Sequence, residues 1–304
     1  MKFSNEKITE KGENRAFVSL KDLKTVWFNT GTQCNLSCKN CYIESSPTND
    51  RLVYFSLEDL SPYLLEIKKS YDSVDLIGFT GGEPFLNPHI ISLLEASLET
   101  GLDVLVLTNA LRVIKKHKSE LIRLKTKFGS KLHLRVSLDH FTKEIHEKER
   151  GLNSFDKTIE SIRDLVNDGF KISIAGRSLV HDDNPILGYQ ELFDKSQINL
   201  KLKNLDNIVI FPEMSSKKDV PEITTECWGI LNKSPDDQMC ATERMIVKRK
   251  GEDRAVVLPC TLLAYDKSFE LGHTLEDAKK DVYLNHKFCA EFCVLGGASC
   301  SSAK

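Results

Sequence analysis

Short apolar runs alternate along this chain with segments of helical period. The β-type runs span Thr25 to Asn29, Asp75 to Thr80, Asp103 to Thr108, Lys131 to Ser137, Lys171 to Gly176 and Asn207 to Phe211. A helix is predicted from Ser56, with Asp59 three residues on as a capping partner and Leu60, Leu64 and Ile67 on one face. The next has Asn87 as cap, Pro88 in first position, Ile90, Ile91, Leu94 and Leu98 inward, and Gly101 as stop. A third runs from about Leu111 to Lys127, a fourth from Ser154 to Gly169 and a weaker fifth near Tyr189 to Lys195. Six strands alternating with helices predict parallel βα units with right-handed crossovers. The strand runs read as apolar rather than alternating, as expected when both faces are covered. An open doubly wound sheet and a curved partial barrel both fit, and both place their chemistry at the C-terminal ends of the strands.

The pattern changes after residue 212. Glu213 to Glu226 and Asn232 to Gln238 are polar, like linker or surface loop, and a cysteine-bearing segment follows. Arg244 to Lys250 and Arg254 to Leu258 read as a β-hairpin turned at Gly251. The expected organisation is a lead over 1–24, a barrel domain over 25–212, and a linker with a small C-terminal module over 213–304. A module of that size calls for a metal staple.

Composition narrows the function. With 40% apolar and 28% charged residues, the 304-residue chain is of ordinary globular type. Its formal net charge of −2 supplies no global field for nucleic acid or an anionic membrane, so neither partner is expected. The N-terminus lacks an apolar signal core and no long apolar run follows, so a cytoplasmic setting is expected. Nine cysteines in a reducing compartment point to metal or catalysis rather than disulfides. They cluster: Cys34, Cys38 and Cys41 follow the first strand, and Cys289, Cys293 and Cys300 close the chain. Three thiolates within eight residues can wrap one face of a cubane and leave its fourth iron open. Zinc or free thiols are the plainer alternative.

The CxxxCxxC spacing of Cys34, Cys38 and Cys41, followed after the second strand by Gly81-Gly82-Glu83-Pro84, resembles the radical S-adenosylmethionine (SAM) superfamily. The resemblance implies a [4Fe–4S] cluster whose open iron is chelated by SAM. It also implies reductive cleavage of SAM to a 5′-deoxyadenosyl radical, hydrogen abstraction from a substrate, and an external electron donor such as flavodoxin or ferredoxin. The glycine pair would let backbone approach the methionine amino group. Ser137-Leu138-Asp139 resembles the family segment that reaches the ribose and the methionine carboxylate, and Asn109 follows the third strand on the same rim. His146 to Gly151, with Arg150, resembles a stretch common in SPASM/twitch members, and Arg177 fits a carboxylate-binding role. Plain solvation of Arg150 or a structural ion pair of Arg177 would serve as well. Many relatives carry an aromatic residue just before the last cysteine; here Asn40 stands there and Tyr42 follows the cysteine.

Cys240, Cys260, Cys289, Cys293 and Cys300, with Gly251 and Leu271-Gly272 between, resemble a twitch module holding one auxiliary [4Fe–4S] cluster. Five cysteines compete for at most four positions. The expected set is Cys240, Cys260, Cys289 and Cys293, with Cys300 as substitute, and a structural zinc is the alternative. Cys227 beside Trp228 reads as a small buried residue, or as a thiol near the substrate. His140 and His146 read as structural. The function expected is a radical SAM oxidoreductase acting on a small molecule, with the auxiliary cluster as electron acceptor. The alternatives are a maturase of a ribosomal peptide and a non-enzymatic iron–sulfur redox sensor. A small molecule is preferred because about 24 residues before the first strand are too few for a folded peptide-recognition domain. An open-iron triplet with an intact Gly-Gly-Glu-Pro loop argues against a sensor.

Overall fold

A computed structural model describes residues 1–214 and 219–300. Residues 215–218, part of the stretch expected as linker, lie outside the described residues. The strands are β1 (Phe17–Val18), β2 (Thr25–Asn29), β3 (Leu76–Thr80), β4 (Asp103–Thr108), β5 (Leu132–Ser137), β6 (Lys171–Ser178), β7 (Ile208–Pro212), β8 (Glu243–Val247), β9 (Val256–Leu258) and β10 (Val282–Tyr283). The main helices are α1 (Leu57–Ser70), α2 (Ile90–Glu99), α3 (Arg112–Lys115), α4 (Lys118–Phe128), α5 (Lys143–Arg150), α6 (Phe155–Asn167) and α7 (Pro185–Lys195).

Eight strands form one sheet in the order β7-β6-β5-β4-β3-β2-β8-β9. From β2 to β7 the order is sequential and every pair is parallel. No strand order reverses within this run, so the doubly wound alternative, which requires a switch point, is excluded. The C-terminal ends of β3 to β7 line one common cavity through Thr80, Thr108, Ser137, Arg177 and Pro212. β2 and β3 are buried along their whole length, as their unbroken apolar runs imply.

Beyond residue 212 the chain rejoins this sheet. β8 pairs parallel with β2, and β9 pairs antiparallel with β8 around the turn containing Gly251. The expected hairpin is therefore present, and it extends the sheet. Trp27 on β2 sets the register there. It lies over Gly78, where any Cβ would overlap its ring, and its indole N–H donates to Glu243 Oε2 at 2.6 Å. The N-terminal lead is pinned as well. β1 pairs with β10, and buried Arg15 reaches Glu222 at 2.6 Å and the Leu284 carbonyl.

Helix α1 starts as predicted: Asp59 N–H donates to Ser56 Oγ, and Ser56 N–H to Asp59 Oδ2. Helix α2 starts later than Pro88, because the Asn87 side chain serves as a brace. Its Nδ2 donates to the Thr30 and Phe55 carbonyls while its Oδ1 accepts from His89 N–H, and His89 becomes the cap residue. The third predicted helix is two, α3 and α4, broken near His117, whose Nε2 pairs with the Phe85 carbonyl at 3.1 Å. Helix α5 was not legible in the periodicity. Only His146 and Glu149 are buried on it, so it has no apolar stripe.

Candidate active site

The loop after β2 is held against the loop after β3 by backbone. Gly82 N–H donates to the Gly31 carbonyl at 2.9 Å, and Glu83 N–H to the Gln33 carbonyl at 3.0 Å. Gly81 has φ +142, a region in which only glycine is unstrained. A side chain at Gly82 would overlap the Gln33 carbonyl. The glycine pair thus seats the cysteine loop at its entry, one residue before Cys34.

Cys34, Cys38 and Cys41 all line an open cavity of about 680 Å³ at the C-terminal ends of the strands. Leu36 N–H donates to Cys34 Sγ and Ser45 N–H to Cys41 Sγ, each at 3.4 Å. Asn109 Nδ2 lies 3.8 Å from Cys34 Sγ and donates to Asn35 Oδ1 at 2.8 Å. Burial pushes the Cys34 thiol up to about 12 and raises Cys38, the latter against the pull of Arg150. Such thiols keep their protons until a metal displaces them. Three cysteines lining one cavity, with N–H donors to the sulfurs of Cys34 and Cys41, suit an iron–sulfur cubane, whose sulfurs accept N–H hydrogen bonds.

Two guanidinium groups also line the cavity. Ser137, Asp139, Arg150 and Arg177 line it, and Tyr42 lies beside the cysteines. Arg150 forks onto Asp139, Nε to Oδ2 and Nη2 to Oδ1, both at 2.9 Å. Burial works to raise the Asp139 carboxyl, but the Arg150 guanidinium and its hydrogen bonds hold it below the usual carboxylate range. Both Asp139 oxygens accept from Arg150, and Arg177 Nη1 lies 4.0 Å from Asp139 Oδ2. Arg177 Nη1 lies 3.4 Å from Glu149 Oε2. Glu83 and Pro84 stand apart: both are buried behind the loop and neither lines the cavity. Glu83 accepts from Thr108 Oγ1 at 2.8 Å, Asn109 N–H at 2.9 Å and Phe85 N–H at 3.2 Å. Burial nevertheless pushes its carboxyl up to about 7. Glu83 therefore ties the β3 loop to the β4 loop.

One cavity-lining residue that the sequence reading passed over is Arg135. It sits two residues before Ser137 on β5, so strand alternation puts it on the same face. That signal was available from Ser137 alone. Its guanidinium donates to the Cys300 carbonyl and to Ser173 Oγ, and burial lowers it to about 10.

The second cysteine group forms a separate small cavity lined by Cys240, Cys260, Cys289 and Cys293 among apolar side chains. Cys300 is not part of that lining. It faces the larger cavity, with its sulfur 3.0 Å from Thr261 Oγ1. Leu262 and Phe288 line both cavities, which are therefore back to back. Burial raises Cys240 to about 11 and Cys289 to about 12. Four sulfurs around one apolar hole suit a ligand that brings its own charge. Among the described residues, no group of three or more His, Cys, Asp or Glu is arranged to hold a single metal ion. Cys227 lines neither cavity and pairs with Thr224. His146 is fully buried against Phe155 and also lies off the cavity.

Among the described residues, no helix is long and apolar enough to cross a membrane. The chain is 32% identical over 178 residues to the antilisterial bacteriocin subtilosin biosynthesis protein AlbA of Bacillus subtilis, covering 57% of this chain and 36% of that protein. It is 25% identical to the mycofactocin maturase MftC of Mycolicibacterium smegmatis, over 47% of this chain and 35% of the relative. A probable GTP 3′,8-cyclase of Saccharolobus islandicus is 27% identical, over 45% and 41% respectively. The chain thus spans well under half the length of these curated relatives. Its fold matches Streptococcus suis SuiB bound to the precursor peptide SuiA with a TM-score of 0.61 at 15% identity, covering 86% of this chain and 66% of that one. The cysteine loop, the glycine loop and the two guanidinium groups all lie within the segment from β2 to β6. The model of the radical SAM superfamily matches this same region, residues 28–185, and the chain belongs to that superfamily.

Proposed function

We propose that the chain is a radical SAM enzyme that modifies a peptide, with Cys34, Cys38 and Cys41 holding the SAM-binding [4Fe–4S] cluster. The observation that carries the catalytic half is the single cavity onto which the three cysteines, the Gly81-Gly82 loop, Arg150 and Arg177 open. When bound, the cluster and SAM supply a 5′-deoxyadenosyl radical that takes a hydrogen atom from the substrate. The protein's part is positioning and exclusion of water. Arg150, held by Asp139, and Arg177 offer donors to a carboxylate, and Asn109 braces the cysteine loop through Asn35. Phe211, Phe288 and Phe292 form an apolar wall where substrate enters.

A peptide is preferred over the small molecule first expected from the length of the N-terminal segment. Support comes from relatives named as a bacteriocin biosynthesis protein, AlbA, and a maturase, MftC, and from the SuiB fold match with its precursor peptide bound. The GTP cyclase relatives keep a small-molecule substrate as the second reading. We read Cys240 to Cys300 as a twitch-like module whose Cys240, Cys260, Cys289 and Cys293 hold an auxiliary [4Fe–4S] cluster. Its cavity shares Leu262 and Phe288 with the substrate side, a placement suited to accepting an electron.

The test is anaerobic. Reconstituted protein, SAM and dithionite are incubated with short peptides encoded beside the gene, and separately with GTP, and products are read by mass spectrometry. A mass change in a peptide together with 5′-deoxyadenosine supports the reading. Conversion of GTP with all peptides unchanged overturns the peptide assignment.

A further inference from the structure

The cysteine loop is gripped at its middle by the last turn of α5. The Glu149 carbonyl accepts Lys39 N–H at 2.9 Å, and Glu149 Oε2 accepts from Asn40 Nδ2 at 2.8 Å. The same oxygen lies 3.4 Å from Arg177 Nη1 at the end of β6. Asn40 also reaches Glu213 Oε1 at 3.3 Å, but that contact is exposed, whereas the Glu149 side chain is 7% exposed. One buried carboxylate oxygen therefore joins the segment between Cys38 and Cys41 to the Arg177 guanidinium at the end of β6. The adjacent Arg150 locks the helix end onto Asp139.

Neither cysteine spacing nor glycine motif includes Glu149, and α5 has no apolar face by which to be placed. Asn40 occupies the position before the last cysteine of the triplet, and the structure gives it a polar partner. From this geometry we infer that Glu149 is a positioning residue for the cluster loop. It holds the Lys39–Asn40 turn in register with Arg177, so that a cluster on Cys38 and Cys41 and the carboxylate of SAM are bound at a fixed separation. The inference rests on the radical SAM reading of the cavity.

The variants separate the parts of the contact. Glu149→Ala removes both side-chain bonds but keeps the backbone bond to Lys39. Glu149→Gln keeps an acceptor for Asn40 and removes the charge facing Arg177. Asn40→Ala removes only the loop side. Each is reconstituted anaerobically beside wild type and the double variant Asn40→Ala/Glu149→Ala. Three readouts are taken: iron and sulfide content, SAM affinity by equilibrium dialysis, and the electron paramagnetic resonance spectrum of the reduced cluster before and after SAM.

The expected result is near-normal iron with SAM affinity weakened about tenfold in Glu149→Ala, as for loss of a charge-assisted hydrogen bond. The SAM-induced spectral change should shrink in parallel. The double variant should be no worse than Glu149→Ala, because the two residues act through one contact. Wild-type SAM affinity and spectral response in Glu149→Ala overturn the inference, as do multiplicative effects in the double variant. Should Glu149→Ala fail to load iron, Glu149→Gln and Asn40→Ala decide by the same two readouts. A wild-type cluster with no spectral response to SAM overturns the underlying reading of the cavity instead.

Discussion

Gly82 and Gln33 are in direct backbone contact: a Cβ on Gly82 would overlap the Gln33 carbonyl oxygen, the same atom that accepts Glu83 N–H at 3.0 Å. This places the need for glycine against the protein's own cysteine loop, in addition to any approach to a cofactor. Gly82→Val should therefore lose cluster as well as SAM binding, because Gln33 immediately precedes Cys34. Iron content after reconstitution checks this. Gly229→Ala, where an added Cβ meets nothing within 4 Å, serves as the control and should load iron normally. Full iron with weakened SAM in Gly82→Val would return the role of this glycine to the ligand.

Two cysteine groups lining two cavities predict two clusters. Reconstituted wild type should hold about eight irons per chain, and the triple variant Cys34→Ala/Cys38→Ala/Cys41→Ala about four. Cys38→Ala alone should abolish 5′-deoxyadenosine formation. Zinc in place of iron in the triple variant would remove the auxiliary cluster.

Cys260→Ala with Cys289→Ala should leave 5′-deoxyadenosine formation intact, since the first triplet is untouched, while substrate conversion stops. Conversion at the wild-type rate would show that the second group has no part in the chemistry.

Arg150→Ala leaves Asp139 buried with its fork removed, a loss of roughly 3–5 kcal/mol for a broken buried pair. The dependence on pH should weaken. In wild type the Asp139 carboxyl lies below its unfolded value, so its contribution is present above that value and lost as pH falls through the folded one. In Arg150→Ala burial is no longer offset by the fork, although Arg177 still faces Asp139 at 4.0 Å, so the carboxyl should move up and the loss of stability on acidification should shrink. Urea unfolding between neutral pH and about 5 reads the slope, and a variant with the wild-type slope would contradict it.

Glu83, raised to about 7, carries the opposite dependence to a paired carboxylate. Its contribution is fully present below the unfolded value of about 4.3 and is lost as pH rises through about 7. Glu83→Gln, which cannot ionise, should flatten that part of the stability profile between pH 5 and 8. It should also lower overall stability, because an amide N–H would face the Asn109 N–H.

The six parallel strands were legible because they are rich in apolar and β-branched residues, although β5 interleaves His133, Arg135 and Ser137 with its apolar positions. Their observed bounds depart from the expected ones by two residues at most. The rim chemistry was legible because thiol spacing and a double glycine are local requirements, written in consecutive residues. What the chain read alone left open, the order of the strands decided: β2 to β7 run without a reversal, so the wall is singly wound. The return of β8 to pair with β2 also required the fold, since its partner lies more than 200 residues away and no local pattern names it. The same holds for α5. Its residues carry no apolar stripe, and its place comes from Arg150 on Asp139 and Glu149 on Asn40, contacts made by single side chains to other elements. The division of the later cysteines followed suit: Cys240, Cys260, Cys289 and Cys293 share one cavity while Cys300 faces the other, because the chain after the last helical turn is drawn to Arg135 and Thr261 inside the barrel. Local spacing determines which residues can carry the chemistry; only tertiary packing, acting between residues far apart in the chain, decides which of them meet.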